Sequence, residues 1–293
     1  MTEPKQANAG KADPGTTGHE WDGIQELNNP LPKWWLYTFY VTVVISVIWA
    51  VLYPSVPGFR SHFQGVLGYT QRNEVAENLR QAAAGQAVYR DRIRDLDVAA
   101  VKADPELYRF SIAGGRVLFA ENCAGCHQSG GVGTKGYPSL ADDEWLWGGS
   151  LADIERTIRF GIRSGHDDAR QSQMPRFLAD GLLPMKDVEA VADHVLSLGG
   201  QHAANANNAS NDRGKSLFAD NCAACHGDTA RGNREVGAPN LVDRVWLYGG
   251  DRNTVVQSIA QSRNGVMPAW TGRLDEATIK MLAVYVHSLG GGE

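Results

Sequence analysis

The chain has 293 residues, of which 43% are hydrophobic and 21% are charged, and its formal net charge is -5. This length is enough for two or three folding units of modest size. The acidic balance argues against a nucleic acid as the partner.

Residues 1–18 are dominated by small and polar residues without apolar periodicity, which predicts a disordered tail. In the next segment, residues 19–32, Trp21, Ile24 and Leu27 recur every third position before a proline. This spacing predicts a short helix that ends near the proline. Because it precedes a long apolar segment, we expect it at a membrane surface. Residues 1–33 together form the predicted cytoplasmic tail and membrane-surface segment.

Residues 34–53 carry no charge, and twenty helical residues at about 1.5 Å each span a hydrocarbon core of about 30 Å. We therefore predict a transmembrane helix over 34–53. The preceding residues 1–33 hold 3 basic and 5 acidic groups, unlike the short basic start of a signal peptide, so the helix is predicted to be an uncleaved anchor. Aromatic residues at both ends resemble interfacial belts: Trp34, Trp35 and Tyr37, then Trp49 and Tyr53.

Residues 54–110 are predicted to be a periplasmic helical spacer. Within it, residues 71–103 are rich in Arg, Asp, Glu and Ala, with apolar residues at helical spacing. We expect one or two amphipathic helices, with the pattern ending at Asp104-Pro105. Their apolar stripe has two equally plausible partners, the domain that follows and another subunit.

The motif C-x-x-C-H occurs twice and uses all four cysteines of the chain. Two thiols at this spacing form thioether bonds to a porphyrin, and the adjacent histidine becomes the proximal iron ligand of a c-type haem. A zinc site and a redox dithiol are weaker explanations for two identical spacings. We predict two covalently bound haem c groups. The motif residues are Cys123, Cys126 and His127, then Cys222, Cys225 and His226.

The sequence around the two motifs repeats, which indicates a duplicated domain. Residues 115–123 match 214–222, W-L-W-G-G at 145–149 matches W-L-Y-G-G at 246–250, and 197–200 match 288–291. We predict cytochrome domains at 111–200 and 212–293, joined by a polar linker at 201–211. The first domain carries 8 basic and 12 acidic residues, against 9 of each in the second. This excess predicts either a basic redox partner or merely a solvated surface.

Methionine is the expected sixth iron ligand where electron transfer is the task, because thioether sulfur raises the reduction potential. Met174 and Met267 are the candidates, since each precedes a proline at the same place in its repeat. Met185 and Met281 are less suitable alternatives, and His166 is a possible rival near Met174. The sequence leaves open whether the methionines are exchanged between the domains.

Several residues are predicted to support the haems. Pro138 and Pro239 follow their motifs at similar distances, and a proline carbonyl can accept a hydrogen bond from the proximal imidazole. Four aromatic residues are predicted to wall the haems: Trp145, Trp147, Trp246 and Tyr248. Arg163 and Arg263 are candidate partners of haem propionates.

The segment W-D-G-I-x-E-L-N-N-P-L-P-x-W-W at 21–35, the predicted anchor and the two C-x-x-C-H motifs together are specific. With these features the chain resembles the di-haem cytochrome c subunit III of cbb3-type cytochrome c oxidases, the CcoP or FixP family. The resemblance implies an all-α protein with one N-terminal transmembrane helix followed by two tandem class I cytochrome c domains. It also implies that Met174 serves the haem of His127, and Met267 that of His226.

By this resemblance, the chain is an electron-transfer subunit of the bacterial inner membrane, with a cytoplasmic N-terminus and periplasmic haem domains. It would take electrons from a soluble periplasmic cytochrome c donor. The electrons would then pass through both haems and a mono-haem c subunit to the haem-copper catalytic subunit. The chain itself is expected to hold no oxygen-reducing site and no catalytic residue, and its other contact is membrane lipid.

Two other functions remain open at this stage. A free-standing, membrane-anchored di-haem carrier similar to cytochrome c4 would serve several acceptors. A di-haem peroxidase or a haem-based gas sensor needs one iron with an open or displaceable position, and matching methionines in both repeats argue against it.

Overall fold

The computed structural model describes residues 15–200, 208–290 and 292. The chain divides into two compact units, an N-terminal unit (Met1–Ala83) and a C-terminal unit (Ala84–Glu293). Most of the predicted disordered tail and residues 201–207 of the predicted linker lie outside the described residues.

The N-terminal unit begins with a β-hairpin of strands β1 (Thr16–Trp21) and β2 (Ile24–Leu27). Trp21 pairs with Ile24 across a two-residue turn, in which Asp22 and Gly23 both have positive φ. Asp-Gly is a preferred pair for such a turn, because its twist matches that of the strands. The short helix predicted over 19–32 was therefore wrong: the local turn chemistry prevails over the three-residue apolar spacing.

Helix α1 (Lys33–Leu52) follows, and none of its residues is buried within the fold. It begins after Pro32, whose fixed φ suits the residue before a helix, and it ends where Tyr53 turns to extended backbone. In the described part of the chain, α1 is the one helix long and apolar enough to cross a membrane. Its bounds lie within one residue of the predicted span at each end.

The spacer forms helix α2 (Gln71–Asp95), which starts in the N-terminal unit, and helix α3 (Val98–Ala103). Asp104 ends the predicted pattern, but its carboxylate also accepts hydrogen bonds from the Glu106 and Leu107 N–H groups. Asp104 is thus the N-cap of helix α4 (Pro105–Asn122), with proline at the favoured first position.

The C-terminal unit is otherwise built from helices and loops, in agreement with the predicted all-α class. Residues 208–211, predicted as linker, belong to a helix. The remaining helices are α5 (Ala124–His127), α6 (Leu151–Phe160), α7 (Met185–Leu198), α8 (Asn208–Asn221), α9 (Ala223–His226), α10 (Arg252–Gln261) and α11 (Glu276–His287), with a 3-10 turn at Ser129–Gly131.

The two repeats exchange their closing helices, which are α7 in the first repeat and α11 in the second. Helix α4, which approaches the first motif, packs against α11 of the second repeat, and α8, which approaches the second motif, packs against α7 of the first repeat. Glycine permits each crossing: a Cβ at Gly115 would lie 2.7 Å from the Met281 carbonyl oxygen, and one at Gly214 would overlap the Ala190 carbonyl oxygen. The backbones therefore meet at equivalent glycines.

Two hydrophobic cores result, and each contains elements of both repeats. The first core joins α3, α4, α6 and α11, and it includes Phe119 and Leu282. The second core joins α7, α8 and α10, and it includes Val191 and Phe218. Ile93 at the end of α2 is fully buried in the first core, so this end of the spacer packs on the domain that follows it.

Candidate haem-binding sites

The first motif forms the single-turn helix α5 at the end of α4. The Cys126 and His127 N–H groups donate to the Cys123 carbonyl oxygen at 3.1 and 2.9 Å. This turn brings the two thiols to one side, because residues three apart are neighbours on a helix. Burial raises the pKa of Cys123 to about 11, so its thiol remains protonated at neutral pH.

The second motif repeats this geometry in α9. The Cys225 and His226 N–H groups donate to the Cys222 carbonyl oxygen at 3.1 and 2.9 Å. Burial likewise raises the pKa of Cys222 to about 11. None of the four cysteines is paired in a disulfide, and the second cysteine of each motif is exposed.

Each motif histidine is fixed by a proline carbonyl. His127 Nδ1 lies 3.0 Å from the Pro138 carbonyl oxygen, and His226 Nδ1 lies 3.0 Å from the Pro239 carbonyl oxygen. A carbonyl only accepts, so Nδ1 carries the proton and the Nε2 lone pair is left for a metal. Burial lowers the pKa of both imidazoles, which favours the neutral form that binds iron.

The two candidate methionines lie across the repeats from their own motifs. Met267 packs on the first core, which also contains Cys123, and its N–H and C=O pair with the backbone of Ile162 at 3.0 and 2.9 Å. Met174 packs on the second core, which also contains Cys222. The packing therefore supports the exchanged arrangement that the sequence left open, rather than the pairing by repeat.

The segments that follow the methionines cross over in the same way. The Phe177 N–H donates to the Ile259 carbonyl oxygen at 3.2 Å, and the Trp270 N–H donates to the Ile158 carbonyl oxygen at 3.3 Å. The two contacts are equivalent: the first is with α10 of the second repeat, and the second is with α6 of the first repeat. The exchange thus involves backbone pairing as well as side chains.

A cavity of about 610 Å³ lies between the two motifs. Both sets of motif residues, both methionines and both prolines line it, and its lining is mostly apolar. The predicted supporting residues that line it are Trp147, Trp246, Tyr248, Arg163 and Arg263. Trp145 lies beside it, packed on the first core and lining a neighbouring, more polar cavity.

Unpaired polar groups at this cavity fit the carboxylates of a haem. Trp246 Nε1 and Arg263 Nε are buried and have no hydrogen-bond partner among the described residues. Arg163 donates only to carbonyl oxygens, those of Gly265 at 2.7 Å and Ser172 at 2.8 Å. Burial lowers the pKa of Arg163. An apolar cavity with two thiol pairs, oriented imidazoles and unmatched cationic donors has the chemistry of a c-type haem site.

The rival ligands are placed less well. The His166 ring packs against that of Phe160 with the ring centroids 4.9 Å apart and the planes tilted by 38°, and His166 is not among the residues that line the cavity. Met281 is buried in the first core, and Met185 is exposed at the start of α7.

Sequence reasoning missed Arg170. Its guanidinium lies 5.6 Å from the centre of the Trp147 ring, donates to Asp153 at 2.8 Å, and reaches the Trp147 carbonyl oxygen at 3.2 Å. Arg170 belongs to a segment that is longer in the first repeat than in the second, so alignment gives it no counterpart. The insertion itself was the available signal.

A mostly helical chain with two C-x-x-C-H turns on a common cavity and a helix able to cross a membrane is a membrane-anchored c-type cytochrome. Residues 13–60 match the family described as the N-terminal domain of cytochrome oxidase-cbb3, FixP. Residues 111–195 and 209–286 match the family described as cytochrome c oxidase, cbb3-type, subunit III. The chain belongs to the family of cbb3-type cytochrome c oxidase subunit III.

Full-length relatives agree with the family models. The chain is 52% identical over 286 residues to the cbb3-type cytochrome c oxidase subunit CcoP of Azospirillum sp. (strain B510), covering 95% of this chain and 96% of that protein. It is 48% identical to the subunit CcoP of Cereibacter sphaeroides, covering 96% of each. It is also 48% identical to the subunit FixP of Bradyrhizobium diazoefficiens, covering 95% of each. The resemblance inferred from the motifs is confirmed.

Proposed function

We propose that this chain carries two covalently bound haem c groups and conducts electrons for a cbb3-type oxidase. Electrons enter from a soluble periplasmic cytochrome c. They leave through a mono-haem c subunit for the haem-copper catalytic subunit. The observation that carries the proposal is the cavity lined by both C-x-x-C-H turns and both candidate methionines.

An exchange of methionines between the repeats is part of this proposal: His127 and Met267 would hold one iron, and His226 and Met174 would hold the other. Met267 packs on the same hydrophobic core as Cys123 of the first motif, and Met174 packs on the same core as Cys222 of the second. Haem iron held by histidine and methionine supplies one-electron redox chemistry with a raised potential. The prolines hold the imidazole protons, so the histidines stay oriented during electron transfer.

Arg163, Arg263 and Trp246 are the proposed partners of the haem propionates. The buried Trp246 Nε1 and Arg263 Nε, which have no hydrogen-bond partner among the described residues, support this role, and Arg163 supports it by its place in the cavity lining. A cation beside a buried carboxylate offsets its desolvation, which otherwise opposes haem burial. Trp147 and Tyr248 exclude water from the same cavity.

The proposed topology has the N-terminus in the cytoplasm and the haem domains in the periplasm of a bacterial inner membrane. Covalent haem attachment takes place outside the cytoplasmic membrane, so the two motifs support a periplasmic position for the residues that follow α1. The aromatic residues at both ends of α1 support its position across the bilayer.

A spectrum with an activity measurement tests the function. The tagged chain is purified from mildly solubilised membranes, and reduced-minus-oxidised spectra and oxygen uptake are recorded. We expect c-type haem together with co-purifying b-type haem and oxygen uptake. Two c-type haems without partner subunits and without oxygen uptake would favour the free-standing carrier instead.

A second experiment tests the exchange of methionines. Cys126 and Cys225 are exposed. Replacing either of them by alanine removes one thioether and gives the haem of that motif a distinct absorption band. In each background Met174→Leu is introduced and both haems are titrated. We expect Met174→Leu to lower the potential of the haem that Cys225→Ala labels. A shift of the haem labelled by Cys126→Ala would support the pairing by repeat.

A further inference from the structure

Each repeat sends one aromatic side chain to the loop that follows the motif of the other repeat. The indole of Trp147, in the first repeat, lies so close to Gly237 that a Cβ there would overlap the ring. The phenol ring of Tyr248, in the second repeat, lies against Gly136 with ordinary spacing, 3.5 Å from the position of a Cβ. The Gly136 N–H also donates to the Leu247 carbonyl oxygen at 2.8 Å. The two contacts are equivalent in the repeat, but the one made by Trp147 is tighter.

The loop that Trp147 touches holds the second histidine. Gly237 lies two residues before Pro239, whose carbonyl oxygen is 3.0 Å from His226 Nδ1. The same loop is closed by backbone hydrogen bonds between Asn233 and Ala238 at 3.0 and 2.9 Å. A side chain that fixes Gly237 therefore fixes the acceptor of the imidazole proton.

Trp147 is itself held in place by its own repeat. The Arg170 guanidinium lies over its ring, 5.6 Å from the ring centre, and donates to its carbonyl oxygen. The Asp153 carboxylate accepts from the same guanidinium and, at 2.7 Å, from the Ser150 hydroxyl. The Trp147 side chain is buried. Its position is thus set by the first repeat, whereas its contact lies in the second.

We propose that Trp147, a residue of the first repeat, is a positioning residue for the haem bound by the second motif. The indole fixes the Gly237-to-Pro239 loop, and Pro239 then keeps the hydrogen bond with His226. This bond raises the basicity of the imidazole, which favours ferric iron and lowers the potential of that haem. The inference rests on the proposed attachment of a haem to the second motif.

Trp147→Phe is the direct test in the full-length chain. Phenylalanine keeps the cavity apolar but lacks the ring atoms Cε2, Cζ2 and Nε1 that touch Gly237. Redox titration in the Cys225→Ala and Cys126→Ala backgrounds identifies each haem. We expect the potential of the second-motif haem to rise and that of the first-motif haem to stay constant. The ferric electron paramagnetic resonance signal of the second-motif haem should change as well.

Trp49→Phe is the matched control. It makes the same substitution on α1, where Trp49 is exposed and does not line the haem cavity, and it leaves the Trp147 contact intact. We expect no change at either haem. An unshifted second haem in Trp147→Phe, or equal shifts of both haems, would overturn the assignment.

Arg170→Gln provides a second route if Trp147→Phe fails to bind haem. It removes the guanidinium that lies over the ring and retains the indole, so we expect a smaller rise at the same haem. An unchanged titration in that variant would count against the proposal. Absence of any thioether-linked haem in the wild-type chain would instead contradict the proposed function, so the two failures are distinguishable.

Discussion

The two cores have the same helical plan but are held together by different interactions. In the second core, buried Asp193 on α7 accepts two hydrogen bonds from Arg252 on α10, at 2.6 and 3.1 Å. The equivalent positions in the first core are Val284 on α11 and Leu151 on α6, both in apolar contact. One helix arrangement is therefore compatible with either an ion pair or hydrophobic packing at the same place.

The start of each closing helix differs in a similar way. Asp187 on α7 pairs with Arg213 of α8 at 2.6 and 2.7 Å. Its counterpart on α11 is Thr278, whose hydroxyl accepts from Arg90 of α2 at 2.9 Å. The arginine that contacts the start of the closing helix thus belongs to the spacer in the first core, whereas it belongs to the second repeat in the second core. The spacer is consequently part of the first core's framework.

The aromatic contacts at the two crossings are conserved in form. In the first core the ring centroids of Tyr285 and Phe119 are 5.5 Å apart, and in the second core those of His194 and Phe218 are 5.7 Å apart. His194 is buried, and its Nδ1 lies 3.2 Å from Asn211 Oδ1. In the second core the ring at this crossing, that of His194, also contacts the Asn211 side chain.

The largest effect is expected where the exchanged helices cross. Gly214→Ala places a Cβ into the Ala190 carbonyl, and α7 and α8 must separate to accept it. We expect a loss of about 3 kcal/mol in the free energy of unfolding. Gly115→Ala should cost somewhat less, because its Cβ has more room. Urea unfolding of the chain in detergent, followed by circular dichroism, measures both.

Gly85→Ala is the control for helix propensity, since nothing lies within 4 Å of its Cβ position in α2. This change should be neutral or stabilising by up to about 1 kcal/mol. A Gly214→Ala variant as stable as Gly85→Ala would argue against the close crossing of α7 and α8.

An intermediate effect is expected from the ion pair of the second core. Asp193→Val leaves Arg252 without its carboxylate, and we expect the free energy of unfolding to fall by about 2 kcal/mol. The fall is limited to this size because the Arg252 side chain is 37% exposed and water still solvates its guanidinium. The double variant Asp193→Val/Arg252→Leu reproduces the residues of the first core. It should recover to within about 1 kcal/mol of the wild type by the same unfolding assay. A double variant worse than Asp193→Val would show that the apolar solution is not transferable.

The smallest effect is a difference in acid sensitivity between the cores. Hydrogen bonding to Arg213 lowers the pKa of Asp187 below its ordinary value, so its contribution is present above about pH 4 and is lost as the pH falls through the folded-state pKa. Thr278, its counterpart, does not titrate. The thermal midpoints of the wild type and Asp187→Asn, measured between pH 7 and pH 3, should therefore converge on acidification. A difference in thermal midpoint that stays constant with pH would exclude a contribution of Asp187 ionisation to stability.

The sequence by itself determined the parts that depend on local spacing. The C-x-x-C-H turns, the span of α1 and the repeat are periodic or short-range patterns, and the corresponding helices follow them. The same reasoning failed at Trp21 to Leu27, where three apolar residues suit a helix by spacing while Asp22-Gly23 favours a hairpin.

Only the tertiary structure decided which elements of the two repeats belong together. Because the sequence is duplicated, α7 and α11 offer α4 equivalent apolar faces. The residue pattern alone therefore does not predict that α4 packs on α11. The choice depends on long-range packing: Gly115 against Met281, Ile162 paired with Met267, and Trp147 against Gly237. These contacts join residues far apart in the chain, and local propensity carries no information about them.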